Sequence, residues 1–224
     1  MQTAGDAQLP NGLRDTNAFY AGSDPLQWVD HSLIEAIKQQ CGHTLLDLGC
    51  GVGGYSKVLQ DAGYAVKAMD VNASYVETAV RLGVDAIQYD GASIPLADNA
   101  VDTVFMIEVL EHVPDPRALL AEVWRVTRRN VIVTVPNNTQ RFNALLAWSH
   151  MLDVDHKNFF TVESLRSLLA NSFHDVDVRQ IVPVDEVIAR DVLPRVVYRP
   201  YHWAMKLGVL KNRFFFRLLA SASK

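Results

Sequence analysis

Short apolar runs alternate with segments of helical periodicity along the first 136 residues of this 224-residue chain. Five of these runs have the length and composition of buried strands: Thr44–Leu48, Ala65–Met69, Asp85–Tyr89, Val101–Ile107 and Val131–Val135. Helices are predicted between them, at 55–62, 74–82 and 116–126, and one more is predicted before them, at 26–40. Strands joined through helices pair in parallel, so the pattern predicts a mostly parallel α/β sheet with helices on both faces.

After Pro136 this alternation loosens. We predict helices at about 138–150 and 161–171, a strand at 174–182 and a last strand from residue 214. The predicted organisation is a flexible arm (1–18), a core (19–182), a helical basic and aromatic insertion or lid (183–213) and the last core strand (214–224). Residues 127–130 are predicted to turn into the fifth strand, with Asn130 in a left-handed conformation.

A glycine-rich turn joins the first predicted strand to the helix that follows it. From Asp47 it reads Asp-Leu-Gly-Cys-Gly-Val-Gly-Gly. Glycines let the backbone bend sharply and let a ligand approach the main chain. Such sheets bind ligands beyond the carboxyl ends of their strands. The spacing of Gly49, Gly51 and Gly54, with Asp70 further on, also satisfies the dinucleotide fingerprint, so the turn alone does not identify the cofactor.

Acidic side chains at three successive strand ends favour one cofactor over the other. Asp47, Asp70 and Asp90 lie at or just beyond the first three predicted strands. They suit a ligand that carries a ribose, an adenine and a cationic tail. They would repel a pyrophosphate, which prefers a bare helix amino terminus. This arrangement favours S-adenosylmethionine over NAD.

The same residues carry a family resemblance. The stretch from Leu45 to Lys57 resembles motif I of class I S-adenosylmethionine-dependent methyltransferases. Asp70 resembles their ribose-binding acid, Asp90-Gly91-Ala92 their adenine-flanking motif, and residues 101–113 their fourth strand and its sequel. The resemblance is close over 42–136 and looser to 182, and it is nearest to type 11 enzymes such as the small-molecule and ubiquinone-pathway O-methyltransferases.

This resemblance implies a Rossmann-like seven-stranded sheet with an antiparallel last strand, and S-adenosylmethionine as cofactor. Gly49 and Gly51 would pass under the methionine part, Asp70 would bond both ribose hydroxyls, and Ala92 would lie beside the adenine. The full set of implied cofactor contacts is Asp47, Gly49, Cys50, Gly51, Gly53, Asp70, Val71, Asp90, Gly91, Ala92 and Ile107.

Two histidines are candidate catalytic bases. Methylation of a hydroxyl requires removal of its proton, and His156 and His112 both follow strand ends where an acceptor would bind. The spacing of Glu108, Glu111 and His112 also resembles the metal-binding segment of ubiquinone-pathway and small-RNA methyltransferases, with His156 as a possible fourth ligand. A divalent metal is therefore an alternative role for these residues, and not the favoured one.

The carboxyl-terminal region differs in charge from the rest of the chain. No acidic residue follows Asp191, whereas seven basic residues do: Arg195, Arg199, Lys206, Lys211, Arg213, Arg217 and Lys224. Between 195 and 217 they are mixed with tyrosine, tryptophan and phenylalanine. This composition suits a lid over the acceptor pocket, with peripheral membrane contact as a further role. The net charge of −4 disfavours a nucleic-acid partner.

Composition limits the setting and the function. The two cysteines, Cys41 and Cys50, form no disulfide framework, and the first 18 residues do not resemble a signal peptide, so a cytoplasmic location is predicted. The favoured function is methyl transfer to a hydroxyl, rather than a nitrogen or carbon, of a small or lipid-linked metabolite. The alternatives are a non-catalytic scaffold or regulator that binds the same cofactor, and an NAD-dependent oxidoreductase.

Overall fold

The computed structural model describes residues 24–138, 156–183, 194–209 and 215–224. Over these residues a short 3₁₀ helix (Pro25–Trp28) precedes six α-helices and seven strands. The helices are α1 (His31–Lys38), α2 (Gly54–Asp61), α3 (Ala73–Arg81), α4 (Pro116–Val126), α5 (Val162–Leu169) and α6 (Arg195–Lys206). The strands are β1 (Thr44–Leu48), β2 (Ala65–Asp70), β3 (Ala86–Gln88), β4 (Val101–Ile107), β5 (Thr127–Pro136), β6 (His174–Pro183) and β7 (Phe215–Ser223). The predicted arm (1–18) and most of the predicted helix at 138–150 lie outside the described residues.

The strands form a single sheet in the order β3-β2-β1-β4-β5-β7-β6. Strands β1 to β5 pair in parallel, and β7 pairs antiparallel with both β5 and β6. The predicted seven-stranded, mostly parallel sheet with an antiparallel last strand is confirmed. The order reverses at β1, which lies between β2 and β4, and such a switch point opens a crevice at the carboxyl ends of the strands.

Both faces of the sheet are covered, which explains the near-continuous apolar character of β4 and β5. On one face, Ile34 and Ile37 of α1 and Leu59 of α2 pack with Phe105 and Ile132. On the other face, the main core cluster joins apolar residues of α4 and α5 to alternate residues of the same strands, among them Leu119, Leu120, Val123, Leu165, Val104 and Val133. The sheet therefore holds its strand ends rigidly, and the loops after β1, β2 and β4 share one edge.

Two local predictions were wrong. The helix predicted at 26–40 is divided, because the Asp30 carboxylate accepts a hydrogen bond from Ser32 N (2.9 Å) and starts α1 as its N-cap. Residues 127–130 form no turn, because β5 begins directly after α4. Asn130 lies in the strand, where its side chain accepts a hydrogen bond from Thr103 Oγ1 and donates one to Gln40 O. These cross-strand bonds favour an extended backbone at Asn130.

The connection between β6 and β7 leaves and re-enters the sheet at the same edge. Pro183, the last residue of β6, pairs with Phe215 of β7, and Arg217 pairs with Pro136 at the carboxyl end of β5. Helix α6 lies within this connection, and residues 184–193 and 210–214 lie outside the described part. Among the described residues, no helix combines the length and apolar character needed to cross a membrane.

Candidate active site

The glycine turn after β1 is fixed by backbone geometry. Gly49, Gly51 and Gly53 have φ of +82°, +52° and +84°, a region that side chains disfavour. The amides of Gly49 and Cys50 donate to Met69 O of the neighbouring strand, at 2.7 and 3.0 Å. The turn therefore closes back onto β2 and leaves its outer surface at the sheet edge.

A Cβ atom would have different effects at two of these glycines. At Gly49 it would lie 2.4 Å from Val109 Cγ2, so the turn after β1 and the loop after β4 are in close contact. At Gly51 it would meet no atom of the described residues within 4 Å, so these residues leave space above the backbone there. This open, side-chain-free backbone is the kind of surface that an extended ligand can lie against.

Asp70, at the end of β2, is nearly buried and is oriented by two backbone hydrogen bonds. Its carboxylate is 7% exposed and accepts hydrogen bonds from Gly51 N (2.8 Å, to Oδ2) and Asn72 N (2.9 Å, to Oδ1). A carboxylate can accept about four hydrogen bonds, so each oxygen keeps capacity for a further donor. Two hydroxyls on neighbouring ribose carbons match that spare capacity. Val71 follows directly and presents an apolar surface that is 54% exposed.

Asp47 is buried, whereas the sequence predicted that it would face an open crevice together with Asp70 and Asp90. Its carboxylate is 2% exposed and accepts a hydrogen bond from Ser56 Oγ of α2 at 2.6 Å. Burial, reinforced by the charge of Asp70 and opposed by the Ser56 hydrogen bond, raises the pKa of Asp47 to about 7. Asp47 therefore lies beneath the turn, where a nearby cation would favour its ionised form.

The segment after β3 turns tightly around Asp90. Its Oδ1 accepts from Ala92 N and Ser93 N, both at 2.8 Å, and these backbone hydrogen bonds lower the pKa of this exposed acid. Gly91 has φ +79°, and a Cβ there would lie 3.1 Å from Val71 Cγ1. The loops after β2 and β3 thus approach each other beside Val71.

Two further side chains lie among these acids. Tyr89, which sequence reasoning did not select, has its pKa raised to about 12 by burial and by the charges of Asp70 and Asp90. The thiol of Cys50 is buried, and burial together with Asp47 and Asp70 raises its pKa far above the ordinary value. Cys50 is therefore a packing residue of the turn and remains a neutral thiol.

Glu108 begins the loop after β4, directly beyond Ile107, and has the unusual φ of +55°. Its Oε1 accepts from Thr134 Oγ1 (3.0 Å) and forms an ion pair with Arg217 Nε (3.0 Å). These contacts direct the carboxylate towards β5 and β7. Of the four residues considered for a metal, Glu108 is therefore the one that the structure leaves out of the cluster described next. The ion pair with Arg217 was not foreseen, because the two residues are distant in sequence.

The remaining three residues are brought together. Single side-chain ligand atoms of Glu111, His112 and His156 all lie within 4.8 Å of one another. The two imidazole rings meet edge to face, with centroids 4.7 Å apart. Glu111 is buried and both histidines are half-buried. The spacing in sequence predicted Glu111 beside His112, and the fold adds His156 from beyond β5.

A backbone clamp holds this cluster in place. Glu111 O accepts hydrogen bonds from Lys157 N (2.7 Å) and Asn158 N (3.0 Å). The side-chain amide Nδ2 of Asn158 also donates to Leu110 O (3.1 Å) and Val113 O (2.7 Å). Asn158 is a positioning residue that sequence reasoning missed, since nothing in its local sequence indicates a partner more than forty positions away.

Residues 46–135 match the family of methyltransferase domains. The match covers 90 of the 224 residues. The match begins in β1 and ends in β5, so it includes the glycine turn, Asp70, Asp90 and the loop that carries Glu111 and His112. S-adenosylmethionine is the cofactor of this family.

The chain is also similar to proteins that are named as methyltransferases. The chain is 33% identical over 147 residues to the ubiquinone biosynthesis O-methyltransferase of Caulobacter vibrioides, covering 58% of each protein. It is 33% identical over 98 residues to the demethylmenaquinone methyltransferase of Renibacterium salmoninarum, covering 43% of this chain and 41% of that one. A solved S-adenosylmethionine-dependent methyltransferase from Archaeoglobus fulgidus has a TM-score of 0.66 at 18% identity, covering 89% of this chain and 96% of that one, and shows the same fold. The chain thus spans about half the length of the curated relatives.

Proposed function

We propose that this chain transfers a methyl group from S-adenosylmethionine to a hydroxyl oxygen of a small or lipid-linked metabolite. One contact carries the proposal, namely the close approach of Val109 to the position where Gly49 lacks a side chain. Val109 O accepts a hydrogen bond from His112 N (3.0 Å), so the loop that bears the histidine pair contacts the turn that would hold the cofactor. Cofactor residues and candidate bases thus share one edge of the sheet.

The residues in and around the turn fit the separate parts of the cofactor. Asp70 keeps acceptor capacity for two ribose hydroxyls, and Val71 offers an exposed apolar surface to the adenine. The backbone around Gly51 leaves room for the amino-acid tail, and Asp47 lies beneath it as a group that a cation would ionise. When bound, the cofactor supplies a methyl group that is already activated by the sulfonium charge.

The chain itself would orient the acceptor and remove its proton. We assign proton removal to one ring nitrogen of His156, with His112 packed against it to fix its position. Asn158 and the backbone of Glu111 hold the loop so that the imidazole stays at the sheet edge. Holding the acceptor oxygen in line with the methyl group contributes through orientation, which in favourable cases corresponds to effective molarities on the order of 10⁵ M.

A second role for the histidine cluster is supported by one observation. A carboxylate and two imidazoles within 4.8 Å of one another form a donor set that suits a divalent transition metal. A metal held there would make an acceptor hydroxyl more acidic, and the histidines would then be ligands. Addition of a chelator separates the two roles, because a histidine base works without metal.

The acceptor class is taken from the chemistry of the site and from the relatives. The relative from Caulobacter vibrioides is named as a ubiquinone biosynthesis O-methyltransferase, so the hydroxyl of a quinone precursor is one acceptor of the proposed class. The experiment is a methylation screen with donor labelled in its methyl group, run on separate lipid and polar extracts of cells. We expect label in the methyl ether formed from a hydroxyl-bearing metabolite, and we expect this labelling to persist with chelator.

The base assignment is tested in the same assay. His156→Ala should lower turnover by about 10²- to 10⁴-fold, the usual contribution of a general base, with cofactor affinity unchanged. His43→Ala, at an exposed histidine remote from the site edge, is the control and should retain turnover. Wild-type turnover of His156→Ala on the acceptor would rule out the base role.

The two alternative functions make different predictions. A scaffold or regulator would bind S-adenosylhomocysteine but would label no acceptor in any extract. An oxidoreductase would bind NAD and not S-adenosylhomocysteine in a calorimetric titration, and this result would overturn the proposal. The cytoplasmic location that the cysteine content suggests stays a prediction.

A further inference from the structure

Helix α6 belongs to a connection that leaves and re-enters the sheet at the edge that carries the candidate site. It lies in the connection from Pro183 to Phe215, two residues that pair with each other at the end of β6 and the start of β7. Two positions further along β7, Arg217 forms its ion pair with Glu108 in the loop after β4. A surface that binds α6 would therefore engage the connection that starts and ends at this edge of the sheet.

Two parallel stripes run along α6. Positions four, seven and eleven residues apart fall on one line of a helix, and lines offset by one residue lie about 100° apart. One line is basic, and the neighbouring line, shifted by a single residue, is apolar. The basic stripe is Arg195, Arg199, His202 and Lys206, and the apolar stripe is Val196, Pro200, Trp203 and Leu207.

The apolar stripe faces outward. Val196, Trp203 and Leu207 are 79%, 64% and 70% exposed, and Val209 beyond them is 74% exposed. Half-buried residues lie on the other side of the helix, among them Tyr198, Tyr201, Ala204 and Met205. The exposed side of α6 thus carries its most apolar residues. A solvated surface helix has the opposite arrangement.

The charge beside this stripe indicates what covers it. Arg195, Arg199 and Lys206 are exposed, and no acidic residue follows Asp191 in the chain. A cationic line next to an apolar line with a tryptophan matches the boundary between anionic headgroups and acyl chains. Nucleic acid would engage the basic line and leave the apolar line exposed. An apolar protein partner would engage the apolar line and leave the charges without a counterpart.

We propose that α6 docks this chain onto the surface of an anionic phospholipid membrane. The apolar stripe enters the headgroup region, and the basic stripe lies against the lipid phosphates. Because α6 leaves the sheet at its site edge, docking brings that edge towards the membrane. The proposal does not depend on methyl transfer, since binding is measured without cofactor or acceptor.

The test is co-sedimentation of the full chain with phospholipid vesicles. We expect binding to vesicles of phosphatidylcholine with phosphatidylglycerol, weak binding to phosphatidylcholine alone, and weaker binding to the anionic vesicles in high salt. The variant R195Q/R199Q/K206Q should bind the anionic vesicles about 100-fold less tightly, because each basic residue near such a surface contributes roughly five-fold. W203S/L207S should also lower binding, because it removes two inserted side chains.

A matched variant controls for net charge. K67Q/R81Q/R166Q removes three exposed basic residues elsewhere and should bind the anionic vesicles as the unaltered chain does. Thermal unfolding of every variant checks that the fold is intact. Equal binding by the α6 and control variants, or no binding to anionic vesicles at low salt, would overturn the proposal. Self-association that W203S/L207S abolishes, in the absence of vesicle binding, would overturn it in favour of a second copy of this chain.

Discussion

The turn after β1 and the loop after β4 lie side by side at one edge of the sheet, but they are held in different ways. The turn is fixed by the end of the neighbouring strand β2, since the Gly49 and Cys50 amides donate to Met69 O and the Gly51 amide donates to Asp70. The loop is fixed by side chains from distant parts of the sequence, namely Asn158 and Arg217. Cofactor binding should therefore depend on a few neighbouring residues, whereas acceptor chemistry should also respond to remote substitutions.

The largest effect is expected from Asp70→Ala. The change removes the proposed acceptor of two ribose hydroxyls and also the partner of Gly51 N and Asn72 N. Loss of two charge-assisted hydrogen bonds corresponds to about 10²- to 10⁴-fold weaker binding of S-adenosylhomocysteine. Calorimetric titration measures it, with Asp85→Ala, an exposed acid before β3, as control. Unchanged affinity in Asp70→Ala would remove the cofactor-site assignment.

A pair of glycine substitutions should separate stability from binding. In Gly49→Ala the new methyl group collides with Val109 and the backbone keeps φ +82°, so the free energy of unfolding should fall by about 2–4 kcal/mol. In Gly51→Ala no atom of the described part of the chain opposes the methyl group, so the loss should be about 1–2 kcal/mol, from backbone conformation alone. Gly51→Ala should instead weaken cofactor affinity, because its methyl group enters the open space. Denaturant unfolding and calorimetry measure the two effects, and the reverse ranking would contradict the account.

Asp47→Asn should make the free energy of unfolding less dependent on pH. Burial raises the pKa of Asp47 from 3.8 to about 7, so between these values the folded chain binds more protons than the unfolded chain. The contribution of Asp47 to the free energy of unfolding is therefore fully present below pH 3.8 and is lost as the pH rises through about 7. The size is a few kcal/mol at most, at about 1.4 kcal/mol per pKa unit. Relative to Asp47→Asn, the unaltered chain should lose stability over this range.

Cofactor affinity should rise with pH, whereas the stability of the fold falls. Ionised Asp47 attracts a cation, so the affinity for S-adenosylmethionine should rise between pH 6 and pH 8 in the unaltered chain and stay nearly constant in Asp47→Asn. Titrations at several pH values measure this difference, and uncharged adenosine is the control ligand. Parallel pH profiles for the two chains would show that Asp47 is not near the cationic part of the cofactor.

The smallest effect is expected from Arg217→Gln, which tests the long-range support of the loop. The ion pair with Glu108 is partly exposed, so its loss should cost about 1 kcal/mol or less of stability. The KM for the acceptor should rise while cofactor affinity stays unchanged. Arg179→Gln on the neighbouring strand β6 removes an exposed ion pair as the matched control. A loss of cofactor affinity in Arg217→Gln would show that turn and loop are not separately supported.

The sequence predicted best what depends on neighbouring residues. Strand β4 and helix α4 have the predicted bounds, because the apolar patterns that predict them depend on residues close together in sequence. Asn130 was misplaced, since its extended conformation is set by Thr103 and by Gln40, which is 90 positions away. The same reason explains why His112 was linked to Glu111 by spacing, whereas Asn158 and the pairing of Glu108 with Arg217 were not anticipated.

The burial of Asp47 could not be predicted from the sequence. Its position at the end of β1 suggested an acid facing the ligand, but the packing of α2 places Ser56 over it. A carboxyl group in that position has its pKa set by desolvation, which depends on the whole surrounding fold.

The central claim is that the edge formed by the turn after β1 and the end of β2 holds the adenosyl cofactor. A crystal structure of the full chain with S-adenosylhomocysteine tests it most directly. We predict both ribose hydroxyls within hydrogen-bond distance of the Asp70 carboxylate, with the adenine against Val71. A ligand bound elsewhere at saturating concentration, or this edge closed by protein atoms, would contradict the account.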